Sequence, residues 1–280
     1  MHLPAVIAMV CDCMDQANRT QAMQPFRILK SAVAAALLFS TATALASDEE
    51  PPPIDHSQEY ADCITLAQRM PDEAFESALT WESVGGGSAA RHCAAVALIN
   101  VGEFAEAATR LEAIAKDTPV DKPQLAADLL GQAGQAWLMA GMVERAYAAQ
   151  TAALELAPED VDLLIDRSVT LADAANYWEA IDDLNRANAL APNRADVLVL
   201  RATAYRYVDG LELARADIEQ ALRIEPQNAD ALLERGILRR LAGDADGARR
   251  DWLQVAMLAA GTPTADAAQM NLETLDLKTE

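Results

Sequence analysis

Residues 161–194 read VDLLIDRSVTLADAANYWEAIDDLNRANALAPNR, residues 195–228 read ADVLVLRATAYRYVDGLELARADIEQALRIEPQN, and residues 229–262 read ADALLERGILRRLAGDADGARRDWLQVAMLAAGT. Set above one another at an interval of 34 residues, the three segments align without a gap, and the register extends back to 127. Pro158, Pro192 and Pro226 coincide. So do Ala146, Ala180, Ala214 and Ala248, the small residues Gly134, Ser168, Ala202 and Gly236, and the apolar Leu130, Leu164, Leu198 and Leu232. A fixed period of this length marks a repeat architecture, in which one structural unit is stacked many times.

Each unit holds two helical patterns of about a dozen residues whose apolar positions recur at helical spacing. Turn signals separate them at Ala140-Gly141, Ala175-Asn176, Asp209-Gly210 and Ala242-Gly243. The proline closes the second helix, because it offers no N–H and disfavours helix in the residue before it. The small residue in the first helix and the alanine in the second let two backbones approach closely. A larger side chain at either place would overpack the contact at a cost of roughly 1–3 kcal/mol. No unit can bury its apolar face alone, so the units must stack.

These positions resemble the tetratricopeptide repeat (TPR). Its pattern is met by Leu130, Gly134, Trp137, Ala146, Ala153 and Pro158 in 127–160, and by Leu164, Ala180, Leu184, Ala187 and Pro192 in 161–194. It is met again by Leu198, Tyr205, Ala214, Ile218, Ala221 and Pro226 in 195–228, and by Leu232, Gly236, Ala248, Trp252 and Ala256 in 229–262. Gln150 departs from the pattern where an aromatic is usual, and Ala260 stands where the last unit would have proline. The resemblance implies an all-α fold, a right-handed superhelical array of antiparallel helix pairs (a TPR-like α-solenoid). It also implies a function in binding other proteins rather than in catalysis.

Ahead of 127, Phe104, Ala107, Leu111, Ile114 and Pro119 keep the repeat phase, with Gly102 at the turn, so 88–121 reads as a further unit. Pro119 to Pro158 is 39 residues, five more than the period, and the surplus near Val120 to Leu125 predicts a longer loop or an extended helix. Glu59–Met70 and Asp72–Val84 read as a degenerate first unit over 58–87, and Gly85-Gly86-Gly87 is expected to break its second helix. Thr264 to Leu277 reads as a helix capping the last open apolar face.

The N-terminal region has another character. Arg27 and Lys30 precede the apolar run Ala32–Phe39, and Ala44-Leu45-Ala46 forms a small-residue cleavage site. Residues 23–46 therefore read as a signal peptide cut after Ala46, with 1–22 as spurious upstream sequence and 47–57 as a disordered acidic, proline-rich linker. The run is shorter than the roughly 20 apolar residues a membrane span needs. The expected location is periplasmic, with no direct insertion into the membrane.

The charge of −21 over 280 residues argues against nucleic acid as a partner. The chain has 3 histidines and lacks a nucleophile–histidine–acid set, a phosphate-binding loop and a dinucleotide fingerprint. His56, Cys63, His92 and Cys93 lack metal-site spacing. No catalytic residue, metal or cofactor is expected, and the expected partner is a protein or peptide. The alternative is a self-assembling structural module that forms a homo-oligomer.

By resemblance, the concave face is lined by places 2, 5, 9, 12 and 13 of each unit. The expected partner-binding groove is Ile165, Val169, Val199, Thr203, Arg206, Tyr207, Leu233, Ile237, Arg240 and Leu241, the alternative being that some of the apolar ones are core against a neighbouring helix. Asp128, Asp162, Asp196 and Asp230 recur at 34 and are read as acids favouring helix N-termini rather than as a binding ladder. Arg167, Arg201 and Arg235 stand 16 residues before Asp183, Asp217 and Asp251, while the two earlier units lack both partners (Ala94 with Arg110, Ala133 with Ala149); an ion pair within each of the three units is expected. Cys63 and Cys93 remain after the predicted cleavage and lie in first helices of adjacent units. In an oxidising compartment they are expected to form a disulfide, the alternative being two separate buried thiols.

Overall fold

The computed structural model describes residues 56–277; the leader, the signal peptide and residues 47–55 of the linker lie outside the described residues. Thirteen α-helices follow one another within that range: α1 His56–Arg69, α2 Pro71–Trp81, α3 Gly87–Val101, α4 Phe104–Asp117, α5 Pro123–Met139, α6 Val143–Leu156, α7 Val161–Asp173, α8 Tyr177–Leu190, α9 Ala195–Tyr207, α10 Leu211–Ile224, α11 Ala229–Leu241, α12 Ala245–Leu258 and α13 Pro263–Leu277. Helices pair in sequence, and each pair packs on the next. First helices of neighbouring units touch one another, as α1 with α3, α5 with α7, α7 with α9 and α9 with α11, whereas second helices make no comparable contact. The array therefore curves with its first helices on the inner side.

The turn within each unit after the first has one recurring device. One or two residues past the first helix, the chain takes a left-handed conformation at Gly102 (φ 98), Gly141 (φ 71), Ala175 (φ 58), Asp209 (φ 59) and Gly243 (φ 85). At all five of these turns the next N–H then reaches back to the carbonyl five residues earlier, as Met142 to Trp137 at 2.9 Å and Asp244 to Arg239 at 2.9 Å. Ala175 and Asp209 adopt this conformation without being glycine, which costs about 1–2 kcal/mol each.

Three places bear on the sequence expectation. Gly85-Gly86-Gly87 breaks the second helix of the first unit, with Val84 (φ −105, ψ 18) and Gly85 (φ 102, ψ 15) outside helical geometry. Glu82–Gly86 forms a π-type turn that runs into α3, with positive φ at Gly85 and Gly87, and Gly86 sits where a Cβ would come within 2.7–2.8 Å of Ala90 and the Trp81 ring. The five surplus residues near Val120 are shared between a loop and an N-terminal extension of α5, which starts on Pro123 and runs 17 residues. The start of α1 at His56 precedes the expected boundary by a few residues.

The core is built where helices of a unit meet. Gly236 faces the buried Trp252, and a Cβ there would lie 2.3 Å from the indole nitrogen, which instead donates to the Leu233 carbonyl at 3.2 Å. Gly134 likewise faces Gln150 at 2.5 Å. Gln150 is fully buried at 0% exposure, and neither amide atom has a hydrogen-bond partner. An apolar side chain in its place removes that desolvation cost.

The Arg–Asp pairs sit at the seams between units. Arg167 donates through Nε and Nη2 to Asp183 at 2.7 Å each, Arg201 to Asp217 at 2.8 and 2.7 Å, and Arg235 to Asp251 at 3.0 and 2.7 Å. The remaining Nη1 of Arg167 and Arg201 reaches the preceding second helix, at Thr151 (3.3 Å) and Asn185 (2.9 Å). One guanidinium thus joins three helices. At Asp251 the second donor is Arg239, at 2.7 Å. At the other end, Cys63 and Cys93 are disulfide-bonded with Cα atoms 6.2 Å apart, tying α1 to α3. A loop of this length gives roughly 3–4 kcal/mol in the chain-entropy account.

Two stability outcomes follow from this packing. Gln150→Leu is expected to raise unfolding stability by about 1–3 kcal/mol in a denaturant titration, because an unpaired buried amide is replaced by an apolar group of similar size. Arg201→Ala is expected to cost about 3 kcal/mol, since it leaves the carboxylate of Asp217 buried, and the Arg201→Leu/Asp217→Leu double variant less than the sum of its single changes. Strict additivity in that cycle would contradict the pairing.

Candidate functional site

The concave face is assembled from one stripe of each first helix, and the structure divides the expected groove residues into two sets. Val199 (1% exposed) and Leu233 (8%) are core: Val199 packs in the cluster between α9, α10 and α11, and Leu233 with Trp252 and Val255 against α13. Both are corrected from groove to core, because successive first helices approach closely enough to fill the space over these side chains. Ile165 is partly buried against the cluster of Leu164 and Leu184, and Ile237 against that of Leu233. Val169, Thr203, Arg206 and Arg240 are also partly exposed, while Tyr207 (41%) and Leu241 (53%) stand open at the C-terminal ends of α9 and α11.

Tyr207 is held from two directions. Its ring stacks on Tyr177, from the start of α8, with centroids 4.5 Å apart and planes within 2°. The Arg206 guanidinium lies 4.6 Å from its centroid. Such ring and cation contacts orient an aromatic side chain beyond what area burial alone provides. Arg206 itself donates to Glu234 of the next first helix at 2.5 and 3.3 Å. Trp178 beside the stack is 64% exposed.

A polar chain absent from the sequence expectation runs along the inner side. Tyr60 on α1, His92 on α3 and Gln132 on α5 are linked by contacts of 2.9 Å to His92 Nδ1 and 2.9 Å from His92 Nε2. The imidazole protonated on Nε2 satisfies both neighbours. Further along, Gln135 on α5 donates to Asp166 on α7 at 2.7 Å. Gln132, Asp166 and Glu234 all occupy place 6 of their units, with Leu200 interrupting the series. The 34-residue comparison carried this signal; it is the place next to the fifth, on which the groove assignment was based. The histidine and cysteines near α1 are thereby committed to this chain and to the disulfide.

At the other edge, the recurring aspartates lie near helix starts. Arg194 bridges Asp162 at 2.8 Å and Asp196 at 2.6 Å, Thr264 donates to Asp230 at 2.8 Å, and Gln124 donates to Asp128 at 2.9 Å. Asp160 caps α7 by accepting from the N–H groups of Asp162 and Leu163. These contacts spend the aspartates on helix ends and seams between units. Open depressions lie at the turns between units, at Ala157–Asp160 with Gln124 and at Glu225–Asn228.

The stacked helix pairs, the inner stripe of first helices and the recurring left-handed turn define an α-solenoid of tetratricopeptide-repeat type. The same fold occurs in a tetratricopeptide repeat protein from Parabacteroides merdae (16% identity, 81% of this chain and 86% of that one, TM-score 0.61). It occurs in PilF of Pseudomonas aeruginosa (19%, 77% and 99%, TM-score 0.57), and in a MamA fragment from Desulfovibrio magneticus RS-1 (21%, 61% and 94%, TM-score 0.53). No protein-family model and no curated protein sequence matches the chain.

Asp166 gives the site a pH dependence. Burial, against the opposing Gln135 hydrogen bond and with added repulsion from Asp162 and Asp160, pushes its carboxyl up to about 6. A folded-state value above the unfolded one favours the protonated form in the fold. This contribution is therefore fully present below about pH 4 and is lost as pH rises through 6, by about 3 kcal/mol at 1.36 kcal/mol per unit. Asp166→Asn keeps an acceptor for Gln135 and is expected to match the parent in thermal stability at pH 4 and to exceed it at pH 7.5; equal stability at both values would refute the assignment.

Proposed function

We propose that this protein is a non-catalytic scaffold that binds a protein or peptide segment on its concave face, in the periplasm, in assembly or maintenance of the cell envelope. The observation that carries the reading is the pairing of exposed, pre-oriented Tyr207 with exposed Leu241 on neighbouring first helices, beside half-buried Ile237. Exposed apolar side chains held rigid lose little entropy on binding, and aromatic anchors of this kind dominate interface energies. Support for the compartment comes from the signal-peptide pattern of 23–46 and from the Cys63–Cys93 disulfide, which an oxidising environment maintains. Among the described residues no helix is long and apolar enough to cross a membrane.

A second reading, self-assembly, has one observation in its favour. Leu253 (49% exposed) and Met257 (76%) lie one turn apart on α12. Earlier units hold Thr151 and Glu155, Asn185 and Ala189, and Glu219 and Arg223 at the same two places. Light scattering separates the readings, since a stable dimer dispersed by Met257→Glu favours assembly.

For the groove, Tyr207→Ser with Ile237→Ser is expected to weaken capture of the partner in a crosslinking pull-down from the native envelope by tenfold or more, at unchanged helix content. Parallel loss of helix content and capture would make both residues core instead of contact residues.

A further inference from the structure

The units of the array, compared in three dimensions, differ in one respect at the C-terminal end. Arg206 on α9 is answered by Glu234 on α11, 28 residues later and in the next first helix. Arg240 on α11 holds the same place as Arg206, one period on. The helix that follows it, α13, occupies the position of a next first helix. It packs against both α12 and α11, and Thr264 bonds to Asp230 across exactly one period of 34 residues. The residue of α13 that corresponds to Glu234 is Ala268, which is fully buried and carries no charge.

Arg240 is consequently left without a carboxylate. The neighbouring acids are already engaged: Glu234 by Arg206, and Asp251 by Arg235 and Arg239. Its described side-chain contact is with Trp252, the guanidinium lying over that ring at 6.0 Å from the centroid. A partly exposed guanidinium beside apolar surface is weakly hydrated and suited to a carboxylate. Leu241, the next residue, is exposed, and Tyr207 occupies the corresponding place on the adjacent helix.

We propose that Arg240 anchors a partner's carboxylate: the concave face takes a segment bearing an internal Asp or Glu beside a large apolar residue, the acid on Arg240 and the apolar side chain against Leu241 and Tyr207. This rests on the reading of the concave face as a peptide-binding surface and names the chemistry of its ligand. The chain's net charge of −21 opposes an acidic partner at long range. That repulsion is screened over about 8 Å at physiological salt, so it slows approach without cancelling a direct ion pair. The last unit is also the electrically balanced part of the array, since Arg235, Arg239, Arg240, Arg249 and Arg250 match its five acids in number.

The test is selection of random dodecapeptides displayed with blocked C-termini on the immobilised protein, in parallel with a library bearing free C-termini. The expected result is enrichment of Asp or Glu next to a large apolar residue in the blocked library. The best such peptide should bind Arg240→Gln about tenfold or more weakly, as loss of a charge-assisted hydrogen bond requires. Ala268→Glu, which supplies the missing carboxylate from within the chain, should weaken it similarly, and Arg250→Gln should change it less than twofold. Melting curves check each fold; should Ala268→Glu melt early, Arg240→Gln alone decides. Enriched peptides without acids, or acids bound equally well by Arg240→Gln, overturn the inference while leaving groove binding standing. Enrichment confined to free C-termini overturns the choice of an internal acid. No enrichment in either library sinks the groove-binding reading itself.

Discussion

The close approach of the two helices within each unit is the constraint from which the rest of the array follows. Gly236 against Trp252 and Gly134 against Gln150 leave no room for even a methyl group without displacement. With that distance set, the apolar stripe of a helix pair faces outward along the array axis, where another pair must cover it. Stacking is thus forced by the hairpin, and the period is the length of chain needed to form one hairpin and return. Among the described residues the first pair has a packed neighbour on one side, and the Cys63–Cys93 bond ties it there. The last is covered by α13, whose Ala268, Leu272 and Leu275 are buried against the final unit.

Polar groups then decide how neighbouring units are seated. A guanidinium such as Arg201 bonds both its own second helix and the preceding one, so sliding one unit past another would strand a buried Asp217. Stranding a buried charge is far costlier than losing a surface pair. On the inner side Tyr60, His92 and Gln132, then Gln135 and Asp166, then Arg206 and Glu234, tie successive first helices. Because these helices approach one another while the second helices diverge, the inner side is compressed into a groove. Its floor is largely packed core, and exposed apolar groups, among them Met139, Tyr207 and Leu241, stand at one edge. The groove is therefore asymmetric. One edge has aspartates that are neutralised by Arg194 or bonded by Thr264, and the other has aromatics and arginines.

The sequence by itself determined the repeat, the helix pairs, the turns and the all-α class. These depend on local chemistry repeated at a fixed interval: a proline after four of the second helices, a turn residue after first helices, and small residues where backbones meet. The proximity of Cys63 to Cys93 was also legible, since first helices of adjacent units are neighbours whatever their details, and so was the joint occurrence of Arg and Asp sixteen residues apart. Tertiary structure alone decided which side chains of the inner stripe are available. Val199 and Tyr207 share a helix and both belong to stripe places, yet one is core and the other open, because the crossing of neighbouring helices covers the middle of α9 and leaves its end free. The same holds for Arg206 and Arg240. They are the same residue at the same place, and only the helix that follows, bearing Glu234 in one case and Ala268 in the other, makes one a structural pair and the other an unanswered charge. Periodicity reports what each unit repeats; the environment of a side chain is set by what packs against it, and at the end of an array that neighbour is no longer a repeat.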